Sequence, residues 1–175
     1  MSIKSLIRTI PDHPKPGIQY RDITTLLLDP AGLREAVAGV AAAWRDEEVA
    51  KVAAVEARGF IFGGAIAQEL GAGFVPLRKP GKLPAETVGR DYELEYGSDR
   101  IEIHRDAVVA GEPILIVDAL IATGGTVLAA VELVESLGAQ VIGCAFVVDL
   151  PDLGGTQRLR ERGLRVSSLC EFEGA

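Results

Sequence analysis

Apolar residues occur along this chain in short runs that are separated by glycine, proline and charged residues. Runs rich in Val, Ile, Leu and Ala are typical of strands buried on both faces of a parallel sheet. Such runs are found at residues 49–55, 74–77, 114–117, 141–148 and 166–169. A further pair of segments, residues 92–96 and 101–103, alternates apolar and polar positions on either side of a Gly-Ser-Asp turn, which predicts a β-hairpin.

Between these runs, several segments have features that predict helices. The Asp-Pro pair at residues 29–30 suits the N-cap and the first position of a helix. The apolar positions that follow recur at intervals of three and four residues, at Leu33, Val37, Val40 and Trp44. We expect Trp44 to be a core anchor rather than a ring that stacks on a ligand. Residues 59–70 and 126–137, the second ended by Gly138, predict two more helices.

Strands and helices alternate along the chain, which predicts an α/β protein with right-handed crossovers. The expected architecture is a central, mostly parallel twisted sheet flanked by helices. Three prolines and a glycine in residues 11–17 predict an irregular N-terminal arm. No repeat or linker divides the sequence, so residues 1–175 are expected to form a single domain.

Composition narrows the class of protein further. The 175 residues are 48 % hydrophobic but only 5 % aromatic, so small aliphatic side chains must fill the core, and the net charge of −7 argues against a surface that binds nucleic acid. No apolar run approaches the roughly 20 residues that span a bilayer, and the N-terminus lacks the features of a secretory signal. Cys144 and Cys170 are too few for a disulfide framework or a zinc site. We therefore expect a cytoplasmic protein with neither a membrane nor a nucleic acid as its partner.

One basic segment stands against this acidic background. Between residues 78 and 90 the chain has a single acid, Glu86, and four basic residues. The basic residues are Arg78, Lys79, Lys82 and Arg90. A solvated loop is the simplest interpretation, and a site for an anionic substrate is the alternative.

Residues 114–126, ILIVDALIATGGT, have the features of a phosphate-binding loop. They run from a predicted strand into a predicted helix, and open α/β sheets bind ligands at the carboxyl ends of their strands. Gly124 and Gly125 lack a Cβ, so backbone N–H groups can approach an anion that the helix dipole also attracts. The two threonines add hydroxyl donors, and Asp118 is placed to accept hydrogen bonds from sugar hydroxyls. A tight turn is the alternative, and the segment matches neither the P-loop nor the GxGxxG pattern.

The same segment resembles the phosphoribosyl pyrophosphate (PRPP) motif of the type I phosphoribosyltransferases. Other segments are similar to the adenine-specific branch of that family, in the order that the branch has them. They are PKPGIQYRDITTLL, EARGFIFG, FVPLRKPGKLP, YELEYG and DLPDLGG, and the resemblance extends over nearly the whole chain. It implies the type I phosphoribosyltransferase fold, with a small N-terminal hood (residues 1–30) over the base site and a flexible β-hairpin catalytic loop (residues 83–104).

The resemblance also implies an activity. Adenine and PRPP would give AMP and pyrophosphate, a step of purine salvage. Mg²⁺ would be carried by PRPP or pyrophosphate, without direct protein ligands. A homodimer is implied as well, with the EARGF region near its interface.

The family's substrate-binding residues can be carried over position by position. The residues implied around the 5′-phosphate of PRPP or AMP are Ala122, Thr123, Gly124, Gly125 and Thr126, with Asp118 on the ribose. The residues implied for pyrophosphate are Arg58, Arg78, Lys79, Lys82 and Tyr96. This assignment gives the basic segment a function, because pyrophosphate leaves well only when its charge is compensated.

The resemblance implies that Glu95 is the catalytic residue, which assists a proton shift at purine N7. For that role its pKa would have to be raised, for example by desolvation when the loop closes, and an exposed hairpin acid is the alternative. The residues implied for adenine are Gln19, Tyr20, Arg21 and Leu120. Tyr20 stands where the family commonly has Phe. Its ring would either stack on adenine or fill the core beneath the hood.

Ala119 departs from the family's pattern, which usually has a second acid directly after Asp118. The missing acid removes a charge-assisted hydrogen bond, worth about 1.5–3 kcal/mol in general. We expect weakened but not abolished PRPP binding or turnover. A catalytically impaired PRPP or AMP sensor is one alternative, favoured by Ala119 alone. A 6-oxopurine phosphoribosyltransferase is the other, and the QYRD and LEYG segments speak against it.

Overall fold

The computed structural model describes residues 1–94 and 97–174. Its strands, in chain order, are β1 (Arg8–Ile10), β2 (Tyr20–Asp22), β3 (Lys51–Val55), β4 (Gly73–Leu77), β5 (Thr87–Glu93), β6 (Ser98–His104), β7 (Pro113–Ile121), β8 (Gln140–Asp149) and β9 (Arg165–Glu171). Its α-helices are α1 (Thr24–Leu28), α2 (Pro30–Ala42), α3 (Arg58–Leu70), α4 (Gly125–Ser136) and α5 (Gly155–Glu161). Short 3₁₀ turns lie at Lys4–Leu6 and Pro151–Leu153.

A five-stranded sheet forms the middle of the molecule, in the order β4-β3-β7-β8-β9. All of its neighbouring strands are parallel, so their carboxyl ends share one edge of the sheet. The predicted α/β architecture with a central parallel sheet is therefore confirmed. Among the described residues, no helix is both long and apolar enough to cross a membrane.

Both faces of the sheet are covered by apolar side chains, as the continuous apolar runs predict. Ile114 and Ile116 of β7 pack in one cluster, which includes residues of α4 and the β5–β6 hairpin. Leu115 and Val117 pack in the other, which includes residues of α2, α3 and the N-terminal segment. Successive residues of β7 thus face opposite layers.

The helix starting at residues 29–30 is confirmed, because the Asp29 side chain accepts a hydrogen bond from Ala31 N and Pro30 occupies the first turn. Trp44 lies just beyond the end of α2 and is 1 % exposed. Its Nε1 donates to Ser167 Oγ at 2.9 Å, which fixes the ring in the core as predicted.

Several elements differ from the sequence prediction. β7 continues to Ile121 instead of ending at Val117, because its ladder with β8 passes through Asp118. The hairpin is present, but the predicted turn at residues 97–99 is wrong, because Ser98 and Asp99 belong to β6 and pair with Glu93 and Tyr92 of β5. On either side of the irregular residues 11–17, β1 and β2 pair as a small antiparallel sheet, which the proline-rich sequence did not predict.

Candidate active site

The phosphate loop (residues 122–126) joins the carboxyl end of β7 to the start of α4. Gly124 has a φ of +88°, a left-handed conformation that favours glycine. A Cβ at Gly124 would also lie 3.0 Å from the Gly155 Cα, so this position has little room for a side chain. The loop opens on a cavity of about 190 Å³, the phosphate cavity. Its lining residues are Arg58, Asp118, Leu120, Ile121, Ala122, Thr123, Gly124, Gly125, Thr126 and Val127.

Asp118 provides the carboxylate of this cavity. Burial raises the pKa of Asp118 to about 6, although a hydrogen bond from Ala119 N at 2.7 Å and the charge of Arg58 act in the opposite direction. Gly59 allows the first turn of α3 to approach, since a Cβ there would lie only 3.0 Å from Asp118 Oδ1. The site therefore holds a carboxylate whose charge depends on pH slightly below neutrality.

The side chain of Ala119 lies in a different environment from that of Asp118. It is 1 % exposed and belongs to the apolar cluster that contains Leu115 and Val117. A carboxylate at position 119 would therefore have to be desolvated in the free protein.

A second cavity of about 260 Å³ adjoins the first, and we call it the pyrophosphate cavity after the ligand that the family resemblance implies for Arg58 and Lys79. Its lining residues are Val55, Glu56, Ala57, Arg58, Lys79, Tyr92, Asp118 and Thr126. Arg58, Asp118 and Thr126 line both cavities, so the two cavities are neighbours that share these side chains. The Glu56–Ala57 peptide bond at this site is cis.

Glu56 organises the basic segment, a role that the sequence analysis missed. Its Oε1 accepts hydrogen bonds from Arg78 Nε at 3.0 Å and from Lys79 N at 2.8 Å. Burial opposes its ionisation, but these hydrogen bonds and the neighbouring positive charges outweigh burial, and the pKa of Glu56 is lowered. Arg78 is consequently held by Glu56 and does not line either cavity.

Lys79 and Lys82 differ in their surroundings. The Lys79 ammonium lines the pyrophosphate cavity, where it is paired with Asp99 and lies 3.2 Å from Tyr92 Oη. Burial opposes its charge, but the hydrogen bonds to Asp99 and Tyr92 prevail and raise the pKa of Lys79. Lys82 is exposed and lines neither of these cavities.

The side chains expected at the base site are only partly brought together. Tyr20 Oη accepts a hydrogen bond from Arg58 Nη1 at 3.1 Å, and Leu120 lines the phosphate cavity. The Arg21 side chain points elsewhere, because its guanidinium donates to Thr9 Oγ1 and Glu173 O and lies over the Phe172 ring. Gln19, half-buried beside Tyr20, is not among the residues that line either cavity. Glu95 and Tyr96, expected on the catalytic loop, lie outside the described residues.

A parallel sheet with a glycine-rich loop at its carboxyl edge, beside a cavity lined by Arg58 and Lys79, suits a protein that binds a phosphorylated ligand. Residues 27–166 match the family model described as the phosphoribosyl transferase domain, so the chain is a phosphoribosyltransferase-family protein. Among curated proteins, it is 59 % identical to the adenine phosphoribosyltransferase of Nitrosospira multiformis and 58 % identical to that of Nitrosomonas europaea. Each alignment covers 99 % of both chains.

Solved structures agree with this relationship. The adenine phosphoribosyltransferase of Thermoanaerobacter pseudethanolicus superposes with a TM-score of 0.93 at 49 % identity, over 97 % of this chain and 98 % of that one. The enzyme of Giardia lamblia, solved with 9-deazaadenine, superposes with a TM-score of 0.92 at 36 % identity, over 98 % of both chains. The chain belongs to the adenine phosphoribosyltransferase family.

Proposed function

We propose that the protein transfers the 5-phosphoribosyl group from PRPP to adenine, giving AMP and pyrophosphate in purine salvage. A bond forms between the lone pair of adenine N9 and C1 of the ribose, and the base releases a proton from N7 to the Glu95 carboxylate. The bond from C1 to pyrophosphate breaks, and its electron pair leaves with pyrophosphate. The adjacency of the two cavities, which share Arg58, Asp118 and Thr126, carries this proposal, because PRPP needs two anion sites with a sugar site between them.

The phosphate cavity is proposed to bind the 5′-phosphate and the ribose. The phosphate-binding residues are Ala122, Thr123, Gly124, Gly125 and Thr126, which supply backbone N–H groups, two hydroxyls and the positive end of the α4 dipole. Asp118, when ionised, would accept hydrogen bonds from the ribose hydroxyls.

The pyrophosphate cavity is proposed to bind the leaving group through Arg58 and Lys79, which line it. Arg78 would act indirectly, through its contact with Glu56, because it does not line the cavity. Lys82 and Tyr96 are assigned to pyrophosphate binding on family resemblance. The carboxylate oxygens of Glu56 and Asp118 in this cavity are compatible with a hard cation, so Mg²⁺ carried by PRPP fits the site. When bound, Mg²⁺ would neutralise charge on the leaving pyrophosphate.

The adenine subsite is proposed to lie between the hood and Leu120. Tyr20 would stack on the base, and Gln19 and Arg21 would bind its edge through backbone groups. A backbone role for Arg21 agrees with the hydrogen bonds of its side chain to Thr9 and Glu173. Glu95 is proposed to assist the proton shift at N7. Residues 83–104 would close over the reacting atoms and exclude water from the oxocarbenium-like centre.

A homodimer in the cytoplasm is the proposed working form. Ile61 on α3 and Phe74 on the edge strand β4 are large apolar side chains that remain 44 % and 38 % exposed. They lie in or next to the region that the family resemblance assigns to the interface. Cys144 and Cys170 are free thiols, which suits a reducing compartment.

A turnover assay with adenine, hypoxanthine and guanine tests the proposal, each base being offered with PRPP in the presence and absence of Mg²⁺. Selective, Mg²⁺-dependent conversion of adenine is expected. Turnover of hypoxanthine or guanine instead would assign the chain to 6-oxopurine chemistry. Binding of AMP or PRPP without turnover of any base would assign it to the sensor class that Ala119 alone favours.

A further inference from the structure

The DLPDLGG segment (residues 149–155) resembles the family but has no function in the site described so far. The structure places it directly behind the phosphate loop. Leu150 N donates to Ile121 O at 3.0 Å, and Gly155 N donates to Ala122 O at 3.0 Å. The loop that would hold the 5′-phosphate is thus attached, at its first residue and at the strand end before it, to a segment distant in sequence.

Gly155 is buried and has no room for a side chain. A Cβ there would lie 2.5 Å from Ala122 O and 2.9 Å from Gly124 N, both backbone atoms of the phosphate loop. Its φ is not in the left-handed region, so close approach alone requires glycine at this position.

Arg158, one turn further along α5, supplies a second contact. Its Nη1 donates to the Thr123 carbonyl at 2.7 Å, a hydrogen bond from a charged donor that joins residues 35 positions apart. The next basic residue of the helix, Arg160, is also exposed, but it has no described contact with the phosphate loop.

These two contacts fix two successive peptide planes. In a trans peptide the N–H group points away from the carbonyl of the same plane. When Gly155 holds the Ala122 carbonyl, Thr123 N–H is aimed away from α5, and when Arg158 holds the Thr123 carbonyl, Gly124 N–H is aimed away from Arg158. Thr123 and Gly124 both line the phosphate cavity.

We propose that Gly155 and Arg158 are positioning residues that orient the N–H groups of the phosphate loop toward the 5′-phosphate of PRPP and AMP. The inference rests on the proposed function for the identity of the bound phosphate. Neither residue is required to touch the substrate.

The test compares Arg158→Met and Arg158→Lys with Arg160→Met, a control on the same helix. KM for PRPP and the Kd for ribose 5-phosphate and AMP should rise about tenfold in Arg158→Met, the scale of one hydrogen bond to a charged group. KM for adenine at saturating PRPP and kcat should stay near the wild-type values. Arg158→Lys should be intermediate, because one N–H donor can still reach the carbonyl.

Gly155→Ala should produce the same shift in KM for PRPP, with melting temperature monitored to confirm that the variant is folded. Equal effects of Arg158→Met and Arg160→Met, or a loss that disappears at 0.5 M salt, would overturn the inference in favour of net charge. Failure of the proposed function would be distinguishable. In that case the wild type would not convert adenine, whereas ribose 5-phosphate binding would still separate Arg158→Met from its control.

Discussion

At the scale of single residues, the burial of Asp118 has a cost to stability, and the proposed function of this residue is to bind the ribose. Burial raises its pKa to about 6 from an ordinary value of 3.8, so the folded protein favours the protonated form. Its contribution to stability is fully present below pH 4 and is lost as pH rises through about 6. Binding of ribose hydroxyls has the opposite requirement, because only the carboxylate accepts hydrogen bonds with both of its oxygens.

Asp118→Asn is therefore expected to change stability and activity in opposite directions. At pH 8 the variant should melt at a higher temperature than the wild type, and the difference should shrink toward pH 4. Its kcat/KM for PRPP should fall about 10- to 100-fold, as expected for loss of a charged hydrogen-bond acceptor. The wild-type decline in kcat/KM below pH 6 should also be absent. Parallel pH profiles of melting temperature and kcat/KM provide the measurement, and identical pH profiles for the two proteins would contradict it.

Tyr20→Phe tests a contact that links the proposed base and pyrophosphate subsites. The substitution keeps the ring and removes the hydroxyl that accepts a hydrogen bond from Arg58 Nη1. KM for adenine should be unchanged, whereas KM for PRPP should rise about three- to tenfold, because one neutral acceptor of Arg58 is lost. An altered KM for adenine with unchanged KM for PRPP would show that the hydroxyl serves the base instead.

Ala119→Asp restores the acid that the family usually has. In the free protein the new carboxylate enters a site that is 1 % exposed, so the melting temperature should fall by several degrees. If the acid also shares the ribose hydroxyls, AMP should raise the melting temperature more than in the wild type, and kcat/KM for PRPP should increase. An unchanged kcat/KM for PRPP would show that an acid at position 119 does not contribute to ribose binding.

At the scale of elements, the β5–β6 hairpin is tied to the proposed pyrophosphate subsite by the ion pair between Asp99 and Lys79. Pyrophosphate would have to compete with Asp99 for the same ammonium. Asp99→Asn should therefore lower the inhibition constant of pyrophosphate several-fold. Asp91→Asn is the matched control, because Asp91 lies on the same hairpin and pairs with Arg100 instead. Weaker pyrophosphate inhibition in Asp99→Asn would mean that Asp99 holds Lys79 in its binding position.

The elements also show what the sequence could and could not predict. Apolar runs located every strand of the central sheet, because strands buried on both faces need such runs. They ended β7 too early, since Asp118 interrupts the run but not the hydrogen-bonded ladder. The antiparallel pairing of β1 with β2 joins residues that are 10 to 14 positions apart, as in Ile10 with Tyr20 and Arg8 with Asp22, and local periodicity does not report such pairs.

In the candidate site, too, some features could be predicted from the sequence and others could not. Local chemistry predicted the loop that lines the first cavity, since its glycines and threonines are contiguous and Asp118 lies four positions before it. It did not identify Glu56 as the partner of Arg78, nor Arg158 as the donor to Thr123, because these contacts join separate elements across the fold. A basic segment predicts an anion site, but only the structure separates Lys79, which lines the cavity, from Lys82, which does not.

At the scale of the whole molecule, α3 connects the proposed active site to the proposed dimer interface. The helix begins at Arg58, which lines both cavities, and Ile61 lies one turn later on its exposed side. On the neighbouring edge strand, the Phe74 ring packs edge-on against Phe60 at 5.6 Å and remains partly exposed. Together they form an apolar face that a second copy of the chain would cover.

Ile61→Glu should weaken or abolish the homodimer, because a charge would be buried at the interface without a partner. Light scattering after size exclusion should report a dimer for the wild type and a lower mass for the variant at equal concentration. Val109→Glu is the control, since Val109 is also a large apolar side chain, is 63 % exposed, and lies in the segment between β6 and β7. Because α3 carries Arg58, KM for PRPP should rise as the dimer dissociates. A wild-type monomer, or equal masses for both variants, would place the interface elsewhere or remove it.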